Sequence, residues 1–209
     1  MRKILSTSLF AVLLAVSAAP AQDGHEGHGH EGHGHDMPAM DEAAMMEAWQ
    51  KTMMPGPEHK EMEYFVGDWK LTSKSWMMGE GEPQVSTGTA HGEMFMGGRF
   101  LHSTTKSEMM GLPFEGLSLS GYDNVKKEHY NLWFDTMGTG VMYSTGNKDA
   151  EGNMVLTGTF PDPMMGNVAY TMKSKILGPD SYLFEMFMNG PGGEMNRVLE
   201  ITYQRVKSS

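Results

Sequence analysis

Residues 178–206 read GPDSYLFEMFMNGPGGEMNRVLEITYQRV, two strand-length runs fenced by turn residues. Gly178-Pro179-Asp180 opens the first run and Gly190-Pro191-Gly192-Gly193 separates it from the second. Glycine and proline at such positions stop regular structure and reverse the chain. Along the second run Leu199, Ile201 and Tyr203 alternate with Glu200, Thr202 and Gln204, the period of a half-buried strand. In the first, Tyr182, Phe184, Met186 and Met188 share a face opposite Leu183, Glu185 and Phe187. Both of its faces are apolar. One is expected to line a cavity and the other to pack against N-terminal helices.

The same texture extends back to Trp69. The strand-like runs are 69–75, 86–96, 99–109, 114–123, 128–136, 140–147, 154–160 and 168–177, followed by 181–188 and 197–206. Short connections such as Gly97-Gly98, Asp123-Asn124, Glu151-Gly152 and Pro161-Asp162-Pro163 join them. Strands spaced this closely predict an antiparallel up-and-down meander. About ten strands in sequence should close on themselves, because closure removes the exposed edges. The fold class is therefore all-β: a ten-stranded antiparallel barrel preceded by one or two short helices. Asp41 reads as an N-cap for a helix from Glu42 to about Thr52, ended by Pro55-Gly56-Pro57. A second helix is expected from Glu58 to about Val66, before Gly67.

Upstream of the helices the chain changes character. Met1-Arg2-Lys3, the apolar run Leu9–Ala19 and Ala19-Pro20-Ala21 form the three parts of a secretory signal peptide, with cleavage expected after Ala21. Residues 22–40 then make a His/Gly-rich tail expected to be disordered, with His-Glu-Gly-His-Gly at 25–29 repeated at 30–34. The organisation read from the sequence is signal peptide 1–21, tail 22–40, helical linker 41–54 and barrel 55–207. The product is predicted to be periplasmic or secreted, with no membrane insertion once the leader is removed. Cysteine is absent, which excludes disulfides, thiolate metal sites and a Cys nucleophile. Arg2 and Lys3 leave with the leader, so 14 basic side chains face 26 acidic ones, a mature net charge of −12. Nucleic acid is excluded as a partner on that ground, and cations are favoured.

Three sets of residues could carry chemistry. The first is the tail, where His25, His28, His30, His33 and His35 fall within 11 residues. Glycine between the imidazoles lets several nitrogens reach one ion, and imidazole suits Zn(II), Cu(II) and Ni(II). The second is a hairpin cluster. A turn at Gly97-Gly98 sets Glu93 opposite His102 and His91 opposite Thr104, so His91, Glu93 and His102 share one face as a candidate metal or acid–base site. Lys106 and Glu108 continue that face, which reads equally as a solvated exterior. The third is the strand at 128–136, with His129, Asn131, Trp133 and Asp135 on one side and Tyr130, Leu132 and Phe134 on the other; it is read as core, with a ligand-cavity wall as the alternative. The 23 methionines, several in pairs such as Met109-Met110 and Met164-Met165, are read as flexible core filler, with soft-metal ligation as the alternative.

Gly67-Asp68-Trp69 at the first strand and Arg205 near the end of the last resemble the calycin arrangement. The resemblance implies that Trp69 and Arg205 pack together to close the barrel. The chain is also similar to the bacterial domain-of-unknown-function family 1579. The segments that carry this, over about residues 55–206, are Pro55-Gly56-Pro57-Glu58-His59-Lys60, Val66-Gly67-Asp68-Trp69, Gly97-Gly98-Arg99-Phe100, residues 108–116, Gly121-Tyr122-Asp123-Asn124, residues 135–140, Pro161-Asp162-Pro163-Met164 and Glu200-Ile201-Thr202-Tyr203. The family implies a calycin-like barrel and transfers no catalytic residues. Related nitrobindin-type barrels hold haem through a histidine on a late strand; here none follows His129, which argues against haem. No phosphate loop, dinucleotide fingerprint or nucleophile elbow is present. The sequence is thus read as a non-enzymatic exported binding protein. Its barrel would hold a small apolar ligand and its tail a divalent transition metal, Zn, Cu or Ni. The alternatives are a copper, zinc or nickel buffer or carrier, and an enzyme working in the barrel cavity.

Overall fold

The computed structural model describes residues 41–76, 81–190 and 192–207. Two helices lead in: α1 (Glu42–Met53), capped by Asp41, and α2 (Pro57–Glu61), which runs into a 3₁₀ turn over Met62–Phe65. Ten strands follow: β1 (Gly67–Ser75), β2 (Gln84–Phe95), β3 (Phe100–Met109), β4 (Leu112–Asp123), β5 (Glu128–Asp135), β6 (Met142–Lys148), β7 (Met154–Asp162), β8 (Gly166–Gly178), β9 (Ser181–Asn189) and β10 (Met195–Arg205). Every strand pairs antiparallel with its sequence neighbours, and β1 pairs with β10 to close the barrel. The predicted fold class is the observed one. No helix of the described residues is long and apolar enough to cross a membrane.

Register decides which residues face inward. Trp69, Leu71, Leu101, Ser144, Leu156, Val168 and Tyr170 are buried, and the pairing puts all of them on one face, the interior. Between them the inner face is unusually small: Gly88, Ala90 and Gly92 on β2, Gly116, Ser118 and Ser120 on β4, Gly146 on β6 and Gly158 on β7. Some of these glycines are occupied from across the sheet. Trp133 lies over Gly116 and the Tyr170 ring over Gly158, where an added Cβ would collide with them. The missing side chain thus makes the bed for an aromatic ring on the next strand.

The two ends of the barrel differ. At the lower end α2 and the 3₁₀ turn lie against β2, β3 and β4. They do not cover Leu183 and Phe187, the outward residues of β9, contrary to the expectation for that strand. Tyr182, Phe184 and Met186, on its other face, do turn inward. The upper end is formed by the turns leaving β3, β5, β7 and β9. The β2–β3 connection is Met96–Arg99 rather than two residues, with Gly97 and Gly98 at φ 67° and 80°. Glycine adopts that left-handed backbone without strain.

Candidate functional site

The floor is built around the closure predicted from Trp69 and Arg205. These two residues are paired partners, and the Arg205 guanidinium sits 4.1 Å above the Trp69 ring. Arg205 donates to the carbonyls of Tyr64 and Val66, and the Trp69 indole N–H donates to the Phe65 carbonyl at 3.0 Å. One cation therefore ties the plug formed by α2 and the 3₁₀ turn to the last strand while lying on the aromatic face of the first. Tyr182 meets Trp69 edge-on at 4.9 Å and stacks on Tyr203 at 4.2 Å with a 7° tilt. Burial pushes the Tyr203 phenol up to about 12, and Tyr182 also rises through burial, so both stay neutral.

Beside the floor α2 brings His59 into the barrel mouth. His59 and His129 are both buried, with Tyr122 between them at ring distances of 5.8 and 4.7 Å. His59 Nδ1 accepts from the Gly56 N–H at 3.0 Å, which leaves the ring proton on Nε2. Burial lowers the His129 pKa, opposed by Glu61 and Glu58 and aided by Lys148 and His59. The stack is an aromatic seam that seats α2 against β4 and β5.

Above the floor the interior has two unlike walls. On β4 to β6, Asn131 Nδ2 donates to Ser118 Oγ and Ser120 Oγ, and Trp133 Nε1 donates to Asp135 Oδ2 at 2.7 Å. The row Ser120, Asn131, Ser144, Gly158, Tyr170 runs across five strands. Ser144 Oγ and Tyr170 OH are buried without a full hydrogen bond. The serine hydroxyl is still near enough to pull the Tyr170 pKa down against the larger, upward effect of burial. The facing wall carries Met172, Phe184, Met186, Leu199 and Ile201. These side chains, like Ser73, Asn131 and Trp133, are only half-buried although they point inward. Two further depressions are open to solvent. The larger, about 620 Å³, lies on the outer side of β6 to β8 against Tyr143, Thr145, Thr157 and Thr159. The smaller, about 260 Å³, lies by Thr104, Lys106 and Leu117.

The hairpin cluster has the predicted register but does not converge. Glu93 pairs with His102, 3.4 Å from Nδ1 to Oε1, whereas His91 turns to Asp68 at 2.7 Å. The Asp68 partner comes from β1, which hairpin geometry alone could not supply. Among the described residues no three His, Asp or Glu side chains gather to hold a metal. Exposed pairs of this kind contribute about 0–1 kcal/mol each. The tail histidines His25, His28, His30, His33 and His35 lie outside the described residues. What the sequence missed is the His59–Tyr122–His129 seam and the Ser144–Tyr170 pair. Each joins strands or a helix distant in the chain, and only barrel register brings them together.

The model of one protein family, described as Protein of unknown function (DUF1579), matches residues 54–205. The chain belongs to this family. No curated protein matches it. Among solved structures, Rv2717c from M. tuberculosis is similar over 74% of this chain and 100% of its own, with 12% identity and a TM-score of 0.50. The S-type phycobiliprotein lyase CPES from Guillardia theta matches over 77% and 98% at 11% identity, TM-score 0.47. A de novo designed fluorescence-activating β-barrel matches over 69% and 95% at 14% identity, TM-score 0.40. At 12% identity the likeness to Rv2717c is one of fold alone.

Proposed function

We propose that this DUF1579 chain is an exported small-molecule binder. Its ligand would lie in the upper barrel, and its tail would chelate a divalent transition metal. The supporting observation is the β8 to β10 wall above the floor: Met172, Phe184, Met186, Leu199 and Ile201 point inward yet stay half-buried. Ten strands enclose a wider bore than eight, and eight already suffice for one small ligand. Filling such a bore takes large side chains, and β2, β4, β6 and β7 supply glycine, alanine and serine instead. A largely apolar ligand would rest on Met172, Phe184, Met186 and Leu199, with any polar group turned to Asn131 and its serines.

Native mass spectrometry of untagged residues 22–209, with solvent extraction of the same sample, tests this reading. An organic mass should accompany the protein. Ser73→Phe, which fills the bore from β1, should abolish it without unfolding the chain. Absence of any organic mass, together with equal uptake of a fluorescent fatty-acid probe by parent and Ser73→Phe, would sink the reading. A second reading makes metal the purpose, a periplasmic buffer or carrier, and the density of the five tail imidazoles favours it. Replacing the five by alanine should remove Zn(II), Cu(II) and Ni(II) binding; a metal-insensitive deletion strain would end that reading.

A further inference from the structure

Five methionines occupy three neighbouring turns at the upper end. Met109 closes β3 and Met110 follows it, Met137 sits between β5 and β6, and Met164-Met165 joins β7 to β8. Because β4 pairs with β5 and β6 with β7, these turns are consecutive around the rim. Their relative exposures are 38, 53, 48, 93 and 51% in chain order, against 5% for Met62. Core filling explains Met62 and cannot explain these. Local backbone preference does not explain Met110 either. It has φ 52°, a left-handed position in the turn Met110-Gly111 where glycine, asparagine or aspartate is ordinarily favoured.

Two carboxylates hold the turns in shape. Asp162 Oδ1 accepts the backbone N–H groups of Met164 and Met165, both at 2.8 Å, and Asp135 Oδ1 accepts that of Met137 at 2.9 Å. The methionine backbones are thus fixed beside two negative charges while their thioethers stand in solvent. A thioether is neutral, soft and carries no proton to lose, and such ligands select monovalent copper over harder ions. The acidic surface draws cations toward it.

We propose that the rim is a soft-metal site. It would hold one Cu(I), or Ag(I) in its place, through the thioethers of Met137, Met164 and Met165, with Met109 and Met110 flanking. It uses none of the bore-lining side chains and no imidazole, and it stands whether or not a small molecule binds inside.

The test uses residues 22–209 with ¹³C-methyl methionine, titrated with Ag(I) in chloride-free buffer at about pH 7 and about pH 5, below the ordinary imidazole range. Single Met→Leu variants assign the signals. The rim methyl signals should move at both pH values, while those of Met62, Met172 and Met186 stay still. The combined Met137→Leu, Met164→Leu, Met165→Leu variant should bind Ag(I) at least tenfold more weakly at the lower pH. Its melting curve should be unchanged, since these side chains are exposed. Unmoved rim signals, or binding that vanishes on acidification as imidazole binding would, overturns the site. So does a triple variant that binds as tightly as the parent.

Discussion

The floor and the rim of this barrel are made from the same kinds of strand and treat their side chains in opposite ways. At the floor Trp69, Tyr182, Tyr203, Tyr64 and Arg205 touch one another, and a single guanidinium serves two plug carbonyls. At the rim Met110, Met137 and Met164 touch little and are exposed. Between them the β8 to β10 wall is half-buried and the β4 to β6 wall is partly polar. Stability is thus concentrated at one end, and the other end is free to take up chemistry. That division follows from α2 and the 3₁₀ turn, which among the described residues cover the lower mouth only.

The contrast predicts a gradient of mutational cost. Trp69→Ala should be the most severe change, losing about 3–5 kcal/mol in urea unfolding, because it empties a packed site and removes the ring beneath Arg205. A loss under about 1 kcal/mol would show that the floor is not the clamp. Gly116→Ala comes next, at about 1–3 kcal/mol, since its Cβ would enter the Trp133 ring. Trp133→Leu should make the same glycine change nearly harmless, and additive losses in the double variant would break the cradle argument.

Acid should separate two weaker contributions. Burial lowers the His129 pKa below its ordinary 6.5, so its neutral form stabilises the fold above that value. That stability drains as pH falls through about 6.5, where the unfolded chain takes up the proton first. His129→Phe should therefore flatten the fall in melting temperature between about pH 7 and about pH 5. Asp149 is held well below its ordinary 3.8, mainly by the Asn153 side chain and then by Lys173. Its contribution is present above about pH 4 and lost below it, so Asp149→Asn should flatten only the acid limb. Identical pH curves for parent and both variants would remove these groups from the account. Met164→Ser should have the smallest effect, within about 0.5 kcal/mol, and a larger loss would show that the rim does pack.

Much of this was legible before any coordinates. The ten strands follow from alternation and turn residues, and every predicted run overlaps an observed strand. The Trp69–Arg205 closure came from resemblance, and the Glu93–His102 pair from hairpin counting. Both are contacts whose partners a local rule or a known pattern can name. The His59–Tyr122–His129 seam was not legible, because it needs α2 folded back over β4 and β5. Nor was the exposure of the rim methionines. Apolar side chains are expected inside, and only the turn positions of Met137, Met164 and Met165 show that these three are not.

The closure also sets the order in which the molecule can be made. Each hairpin of the meander joins neighbours in the chain, but Arg205 reaches back 139 residues to Val66. Local pairings can form early, whereas this contact must wait for the last strand and carries the largest loop-closure entropy. Until it forms, β1 and β10 are two open sheet edges, each able to recruit another copy. A chain cut before β10 should therefore fold most of its hairpins and then aggregate. Arg205 is thereby the residue that converts a sticky, slowly assembling sheet into a molecule without edges.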